Sequence, residues 1–494
     1  MTAMSAGAAA TIRLNQSTGR WVVFATVLGS SVAMLDSTVV NVALPALARD
    51  LSASIAGLQW TVNAYTLTLA GLILLGGALG DRYGRRRVFV VGVAWFAVAS
   101  ALCGAAQDVR MLIAARALQG IGGALLTPGS LAIIQSSFHP DDRPRAVGAW
   151  SGFGGVAGAI GPFLGGWLVS AAGWRWVFFL NLPLAAIAIA VAVRHVPESV
   201  DDEATGRFDV LGAVFAAASL AGITYALTEL PGGDIGAIAV VCGAVGVATA
   251  IAFGFVERRR THGHGPHAML PLDVFGSRQF TVVNAVTFVV YGGMGVMFFL
   301  LVVHLQLVVR FSPMAAGAAL LPVTVLMLVL SARAGALAQR IGPKLPMTFG
   351  LLVAATGMVL VSRIGPGASY FVEVLPAVAV FGLGLSATVA PLTATVLASA
   401  DPRHAGVASG VNNAVARAAS LLAVAVVPPA VGLTGNALGE PGVFAHGFRT
   451  AMVVSAALLV LGALTSLVAI RNDVLRTSLP SCRPHARTHC AVAG

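Results

Sequence analysis

Long apolar segments separated by short polar loops repeat along almost the whole chain. Each segment has about 20 residues, the length that an α-helix needs to cross about 30 Å of hydrocarbon. The pattern therefore predicts fourteen membrane-spanning helices, at residues 21–45, 57–79, 88–107, 109–134, 146–171, 177–194, 209–228, 235–256, 280–303, 314–337, 345–362, 371–398, 406–427 and 448–470.

Composition supports an all-α integral membrane protein. Of the 494 residues, 57% are hydrophobic and 10% are charged, and the mean hydropathy is +0.88. Soluble domains carry about 25% charged residues, so a soluble fold is excluded. The first apolar run is too long for a signal peptide. The four cysteines do not indicate a disulfide framework, because Cys103 and Cys242 lie in apolar helices.

The distribution of positive residues predicts the orientation, because arginine and lysine are retained on the cytoplasmic side of membrane proteins. With both termini inside, 22 of the 30 arginines and lysines fall on the inner side and six fall outside. The remaining two, Arg116 and Arg417, lie within spans. We therefore expect a multi-pass plasma-membrane protein with cytoplasmic termini. This bias also explains the net charge of +11, so nucleic-acid binding is not expected.

A charge-rich loop occurs twice. Residues 77–87 read GALGDRYGRRR, and residues 335–344 read GALAQRIGPK at an offset of 258 residues. Both copies fall on the predicted inner side, after helices 2 and 10. Gln339 replaces Asp81 in the second copy, so the two copies are unequal.

The repeat predicts two related six-helix bundles with an inserted helix pair. We expect a cytoplasmic N-terminus (residues 1–20), an N-terminal bundle (21–200), the inserted pair (207–256), a C-terminal bundle (270–475) and a cytoplasmic tail (476–494). Two parallel six-helix halves with a substrate path at their interface are typical of secondary transporters.

Two charged residues inside the spans are candidates for proton coupling. Asp36 lies well inside helix 1, where an ionised carboxylate needs a partner, a cavity or a proton. Arg116 lies in helix 4 and shares a helical face with Gln119. An arginine does not lose its proton in practice, but its pairing with an acid could change with conformation. For each residue, a purely structural tie is the alternative.

Other polar residues of the spans are candidates for the substrate path: Gln59, Asn63, Thr66, Gln119, His304, Gln306, Asn413 and Arg417. Ordinary hydrogen bonding between helices explains them at least as well. Helix 5 carries GxxxG pairs and a proline, in Gly158, Gly161, Pro162, Gly165 and Gly166. Such glycines allow another helix to approach closely.

No catalytic function is indicated. The sequence contains no Walker loop, HExxH or GxSxG motif, and the loops are too short for an enzymatic domain, so we predict neither an enzyme nor a cofactor. The tail residues Cys482, His485, His489 and Cys490 have a spacing that could bind zinc. They lack a helical or knuckle context, so a disordered tail without metal is the favoured interpretation.

Five motifs in order resemble those of the major facilitator superfamily, in its 14-helix drug:proton antiporter branch. Residues 77–87 are similar to the loop pattern GxLaDrxGrr, and residues 36–45 to the helix 1 pattern DxTvvnvALP. Residues 116–122 fit the helix 4 pattern. Residues 158–166 resemble the helix 5 antiporter pattern, with the first glycine displaced by one position. Residues 174–183 (WRWVFFLNLP) are similar to the helix 5–6 junction.

The resemblance implies alternating access, in which inward protons are exchanged for an outward small-molecule substrate. It also implies that Asp81 holds a helix end across the bundle interface in the outward-facing state, with Arg82 and Arg85 in neighbouring charge contacts. The candidate gating residues are therefore Gly77, Asp81, Arg82, Gly84 and Arg85. Because Gln339 replaces the aspartate in the second copy of the loop, we expect the first copy to dominate gating. A monomer is the default expectation. Import or facilitated diffusion of a small metabolite on the same fold is the alternative, and a non-transporting receptor is a third interpretation that the short loops disfavour.

Overall fold

The protein is helical throughout the part that the computed structural model describes, which comprises residues 12–139, 141–200, 210–229, 236–261, 275–399, 405–435 and 437–475. Within these ranges the one β-type pairing is an isolated bridge between Ile12 and Phe138. The α-helices are α1 (Ser17–Asp50), α2 (Ile55–Tyr83), α3 (Arg85–Gly104), α4 (Val109–Ser137), α5 (Arg143–Ala171), α6 (Arg175–Phe179), α7 (Asn181–His195), α8 (Val210–Glu229), α9 (Ala237–Thr261), α10 (Arg278–Leu307), α11 (Pro313–Ala318), α12 (Leu321–Ile341), α13 (Lys344–Val361), α14 (Leu375–Ala398), α15 (Ala405–Ala430) and α16 (Pro441–Ala469).

These helices form the predicted fourteen spans. In the described part of the chain, thirteen spans are long and apolar enough to cross a membrane when α6 is joined with α7 and α11 with α12, and α2 is the fourteenth if its two segments count as one span. Those segments, Ile55–Ile73 and Leu75–Tyr83, are bent by 50° to each other. The fold class predicted from hydropathy is therefore confirmed.

Proline divides two spans that the sequence pattern predicts to be continuous. The span predicted at 177–194 consists of α6 and α7, and that at 314–337 consists of α11 and α12. Pro183 and Pro322 lie in the first turn of the second helix of each pair. Proline has no N–H to donate and clashes with the carbonyl four residues earlier, so the helix breaks just upstream. Each pair still forms one candidate membrane span, Arg175–His195 and Pro313–Ile341, so the two predicted spans are confirmed.

The last helix begins earlier than its apolar run. The sequence predicts a start at residue 448, whereas α16 begins at Pro441. Proline is favoured in the first helical turn because that turn has unpaired N–H groups in any case.

The two copies of the repeated loop adopt the same local structure. Gly84 ends α2 with a φ of 107°, and Gly342 ends α12 with a φ of 93°, a region that favours glycine. The helix that follows each copy, α3 or α13, begins beside a side chain from a segment much later in the chain, directly after α7 or α16. Glu198 accepts the Arg86 N–H at 3.0 Å, and Asn472 accepts the Lys344 N–H at 3.2 Å.

We call α1–α7 the N half and α10–α16 the C half. The membrane side that holds the α2–α3 and α12–α13 turns is called the arginine-rich face, and the side that holds the α1–α2 turn is called the opposite face. The inserted helix α8 packs against both α2 and α15, and therefore lies along one seam between the halves. Its partner α9 packs on α8 through a close contact of Gly222 with Gly246.

Two apolar clusters divide the core along α1. Toward the opposite face, Leu35 to Leu47 of α1 belong to a cluster that continues into the C half through α10, α13, α14 and α16. Toward the arginine-rich face, Val22 to Ala33 of α1 belong to a second cluster, whose members all lie in the N half. The halves are therefore joined at the opposite face.

One face of α5 shows where the halves separate. Gly148, Gly155 and Gly166 lie within about 20° of each other around the helix, at 100° per residue. A Cβ atom at Gly166 would meet the backbone of Pro313 and Met314 in the C half at 2.5 and 2.7 Å. A Cβ atom at Gly155 or Gly148 would meet nothing within 4 Å. The separation between α5 and the C half therefore increases toward the arginine-rich face.

Candidate functional site

A buried ion pair joins α1 to α4 in the centre of the N half. Asp36 and Arg116 are each 1% exposed, and Arg116 Nη1 donates a hydrogen bond to Asp36 Oδ2. Removing charged groups from water is costly unless they are paired and hydrogen-bonded. Arg116 supplies the pairing, so the structure brings together the two residues nominated for proton coupling.

Neutral side chains complete the hydrogen bonds of the Asp36 carboxylate. Gln119 Nε2 and Asn181 Nδ2 donate to Asp36 Oδ1 at 2.8 and 2.9 Å. Both amides also donate to Ser100 Oγ, at 3.2 and 2.9 Å, and Ser100 Oγ donates to the Phe178 carbonyl at 2.9 Å. The acid therefore accepts three hydrogen bonds, from residues of α4 and α7.

Arg116 also ties α2 into this cluster. Its Nε donates to the Thr61 carbonyl at 3.1 Å, and its guanidinium carbon lies 4.4 Å from the centre of the Tyr65 ring. A cation over an aromatic face is stabilised by the ring's negative face. The cluster thus joins α1, α2, α3, α4 and α7.

Sequence reasoning missed Asn181, Ser100 and Tyr65 as members of the site. Asn181 had a readable signal, because it is a polar residue in the otherwise apolar junction at 177–184 and lies two residues before Pro183. Ser100 and Tyr65 had none. A lone hydroxyl in a membrane helix usually bonds to its own backbone, as Thr66 does to the Val62 carbonyl.

Arg417 occupies a different environment in the C half. It is partly exposed, and its Nε donates to Asn413 Oδ1 at 3.1 Å. Tyr65 and Tyr291 lie close enough to interact with it electrostatically. Within the described residues no carboxylate pairs with it. Arg417 and the exposed Asn413 therefore present a cation and an amide between the halves.

Two of the nominated path residues join the halves at the opposite face. Gln306 Nε2 at the end of α10 donates to the Val42 carbonyl of α1 at 2.9 Å, and Gln59 Nε2 of α2 donates to the Val424 carbonyl of α15 at 2.5 Å. Both glutamines are buried. They thus close the interface at this face.

The remaining path candidates lie elsewhere. His304 is buried in the C half, where Nε2 contacts the Ile364 carbonyl at 2.8 Å and the ring stacks on Phe448 at a centroid distance of 3.9 Å. Asn63 is buried in α2, and its Nδ2 has no hydrogen-bond partner within the described residues. Thr66 is half-buried and bonded within its own helix.

The helix 5 motif packs against both halves. Gly161 leaves room for Thr38, and Gly165 leaves room for Val39, so α5 lies directly on α1. Gly166 faces Pro313 and Met314 of the C half, and the Pro162 carbonyl faces Gly317. Gly158 has no neighbour within 4 Å of a Cβ position. The motif therefore lies where α1, α5 and α11 converge.

The repeated loop of the N half is held within that half. Asp81 near the end of α2 pairs with Arg85 at the start of α3 at 2.8 Å. Arg82 lies 5.8 Å from the Tyr83 ring centre, and a Cβ atom at Gly77 would be in ordinary contact with Pro128. In the second copy, Gln339 is exposed.

No group of three or more metal-binding side chains occurs in the described part of the chain. The tail residues Cys482, His485, His489 and Cys490 lie outside it, as do residues 1–11 of the cytoplasmic N-terminus predicted at 1–20 and the cytoplasmic tail predicted at 476–494.

Comparison with known proteins gives consistent matches. The family model described as Major Facilitator Superfamily matches residues 26–424. A puromycin resistance protein of Streptomyces alboniger is 34% identical over 91% of this chain and 91% of its own length. A tetracenomycin C resistance and export protein of Streptomyces glaucescens is 33% identical over 82% of this chain and 74% of its own length.

A solved structure extends the likeness in fold. A bacterial homologue of the human lysosomal transporter Spinster, in an inward-facing and unoccupied conformation, has a TM-score of 0.65. It is 17% identical, with 94% of this chain and 98% of that chain covered. Together with the fourteen spans, these matches show that the chain is a multi-pass membrane transporter that belongs to the Major Facilitator Superfamily.

Proposed function

We propose that this transporter exports an amphipathic drug, antibiotic or related metabolite in exchange for protons, by alternating access. The observation that carries the proposal is the Asp36–Arg116 pair, an acid buried in the membrane beside a permanent cation. The names of the relatives support antibiotics as the substrate class and export as the direction of transport. The fold supports a path between two halves.

The pair provides a mechanism for coupling. Protonation of Asp36 removes its charge and weakens its attraction to Arg116, so contacts that α1 makes with α4 change. Because α1 also carries the Val42 carbonyl that Gln306 binds, a shift of α1 reaches the contact between the halves. Binding a proton on one side of the membrane and releasing it on the other would then drive the exchange.

The proposed orientation places the arginine-rich face in the cytoplasm. The structure then corresponds to a transporter that is closed to the outside and open to the inside. A substrate entering from the cytoplasm would meet Arg417 and Asn413. Because this path lies within one chain, a monomer is sufficient.

The driving force is adequate. One proton crossing about 150 mV supplies about 3.5 kcal/mol. This free energy supports a concentration gradient of about 300-fold for a neutral substrate.

The test is substrate flux in everted membrane vesicles that carry the full-length protein, with puromycin as the first probe and an efflux screen to extend the set. Wild-type protein should accumulate the probe when a pH gradient is imposed and lose it when a protonophore is added. Asp36→Asn should abolish accumulation. Accumulation by Asp36→Asn at the wild-type level would refute the coupling role of Asp36.

A further inference from the structure

Asn181 has a spare hydrogen-bond acceptor next to the proposed proton site. Its Nδ2 donates to Asp36 Oδ1 and to Ser100 Oγ, both at 2.9 Å. Its Oδ1 is buried and has no partner within the described residues. Buried polar atoms are normally hydrogen-bonded, so an unpaired acceptor on a side chain that binds a carboxyl group requires an explanation.

The other two ligands of Asp36 are committed to their present roles. Arg116 can only donate hydrogen bonds. Gln119 Oε1 accepts from Arg116 Nη1 at 2.6 Å and from Cys103 Sγ at 3.6 Å. A half-turn of the Gln119 amide would bring an NH₂ group against the guanidinium and break a bond to a cation. Asn181 is thus the ligand that is able to turn.

We propose that Asn181 is a positioning residue that follows the protonation state of Asp36. It donates to the carboxylate, and after a half-turn of its amide it accepts a hydrogen bond from the carboxylic acid. This proposal rests on the proposed function, in which Asp36 carries the coupled proton. In the step, a proton from water binds to Asp36 Oδ1, and the new O–H group donates to Asn181 Oδ1.

The half-turn adds no buried unpaired group. Asn181 has one amide atom without a partner before the turn, which is Oδ1, and one after it, which is Nδ2. Asp36 keeps a hydrogen bond to Asn181 in both states. The charged and titratable groups that interact with the carboxyl are Arg116 from α4, Tyr65 from α2 and Cys103 from α3, and the half-turn breaks no hydrogen bond of theirs.

The turn also connects proton binding to the backbone. Asn181 is the first residue of α7, directly after the break from α6. In the turned arrangement Nδ2 no longer donates to Ser100 Oγ, so a tie between α7 and α3 is released. Protonation would therefore loosen the N half at the junction of α6 and α7.

The test is an infrared titration of the Asp36 carboxyl band in the purified full-length protein, assigned by its loss in Asp36→Asn. This measurement needs no substrate. Asn181→Leu has a side chain of similar size without donor or acceptor, and Asn181→Ala is the second variant if the first does not fold. Asn284→Leu makes the same change at a buried asparagine of the C half and serves as the matched control.

We expect Asn181→Leu and Asn181→Ala to raise the pH midpoint of the band by about half to one pH unit. Hydrogen bonds to a charged group are stronger than those to a neutral group, so the carboxylate loses more than the acid. Asn181→Ser keeps a hydroxyl that can donate and accept, and its shift should be smaller. Asn284→Leu should keep the wild-type midpoint.

An unchanged or lowered midpoint in both Asn181→Leu and Asn181→Ala would overturn the positioning role and leave the proposed function intact. A shift of equal size in Asn284→Leu would also overturn it, because the shift would then not depend on the contact between Asn181 and Asp36. If no band lost in Asp36→Asn titrates between about pH 4 and pH 10, both the positioning role and the coupling role of Asp36 fail.

Discussion

At the scale of single residues, the arrangement around Asp36 favours arginine over lysine at position 116. Arg116 makes directed contacts with Asp36, Gln119 and the Thr61 carbonyl, and it also lies over the Tyr65 ring. Lysine carries the same charge but lacks the planar fork that forms several directed bonds at once. The geometry, and not the charge alone, therefore holds the cluster.

We predict that Arg116→Lys lowers transport by at least about tenfold and destabilises the protein by about 1–3 kcal/mol, since it leaves buried acceptors unpaired. Arg417→Lys is the comparison, because Arg417 makes one side-chain hydrogen bond within the described residues, to Asn413, and is partly exposed. Its effect on thermal stability should be smaller. Flux in vesicles measures transport, and thermal unfolding in detergent measures stability. Equal loss of stability in both variants would contradict the conclusion that the geometry of Arg116 holds the cluster.

Asp81 and Gln339 provide a second pair for comparison. Asp81 pairs with Arg85, whereas Gln339, at the equivalent place of the second copy, is exposed. We predict that Asp81→Asn reduces turnover more than substrate binding, whereas Gln339→Ala changes neither. Flux and equilibrium binding of the same probe separate the two quantities. Equal loss of binding and transport in Asp81→Asn would exclude a gating role.

At the scale of helices, the glycines of α5 distinguish one arrangement of the halves from the other. Gly166 is in contact with the C half, whereas Gly155 on the same helical face is not. If the C half approaches the other end of α5 during transport, Gly155 becomes the glycine in contact with the C half, and Gly166 loses that contact. The face of α5 then acts as the surface on which the halves rock.

We predict that Gly166→Ala disfavours the present arrangement, because its Cβ atom would lie 2.5 Å from the Pro313 carbonyl oxygen. Gly155→Ala should instead be accommodated here and disfavour the alternative. Accessibility of single cysteines on the two membrane faces should therefore shift in opposite directions. Gly254→Ala in α9, which meets nothing within 4 Å, is the control, and a common shift in all three variants would refute the assignment.

The sequence predicts helices better than it predicts their interruptions. Hydropathy identifies all fourteen spans because the cost of unpaired backbone groups in lipid requires helices. The breaks before Pro183 and Pro322 and the bend in α2 were not predicted, although the prolines are visible, because many prolines remain inside membrane helices. Pro128 of α4 and Pro162 of α5 are examples.

At the scale of the whole molecule, the state of the transporter depends on contacts that the sequence does not reveal. Gln59 and Val424 are 365 residues apart, and Gln306 and Val42 are 264 apart. Each pair joins an amide to a backbone carbonyl, which any residue possesses, so no complementary motif marks the partner. The repeat predicts two halves, but not the face at which they meet.

We predict that Gln59→Leu combined with Gln306→Leu shifts the equilibrium away from the present arrangement by about five- to 160-fold, since each neutral hydrogen bond is worth about 0.5–1.5 kcal/mol. Spin labels at Gln107 and Pro366, exposed positions of the two halves at the opposite face, should then move apart. His304→Leu removes a buried contact inside the C half, so it should lower stability without changing this distance. An unchanged distance in the double variant would mean that apolar packing alone closes the opposite face.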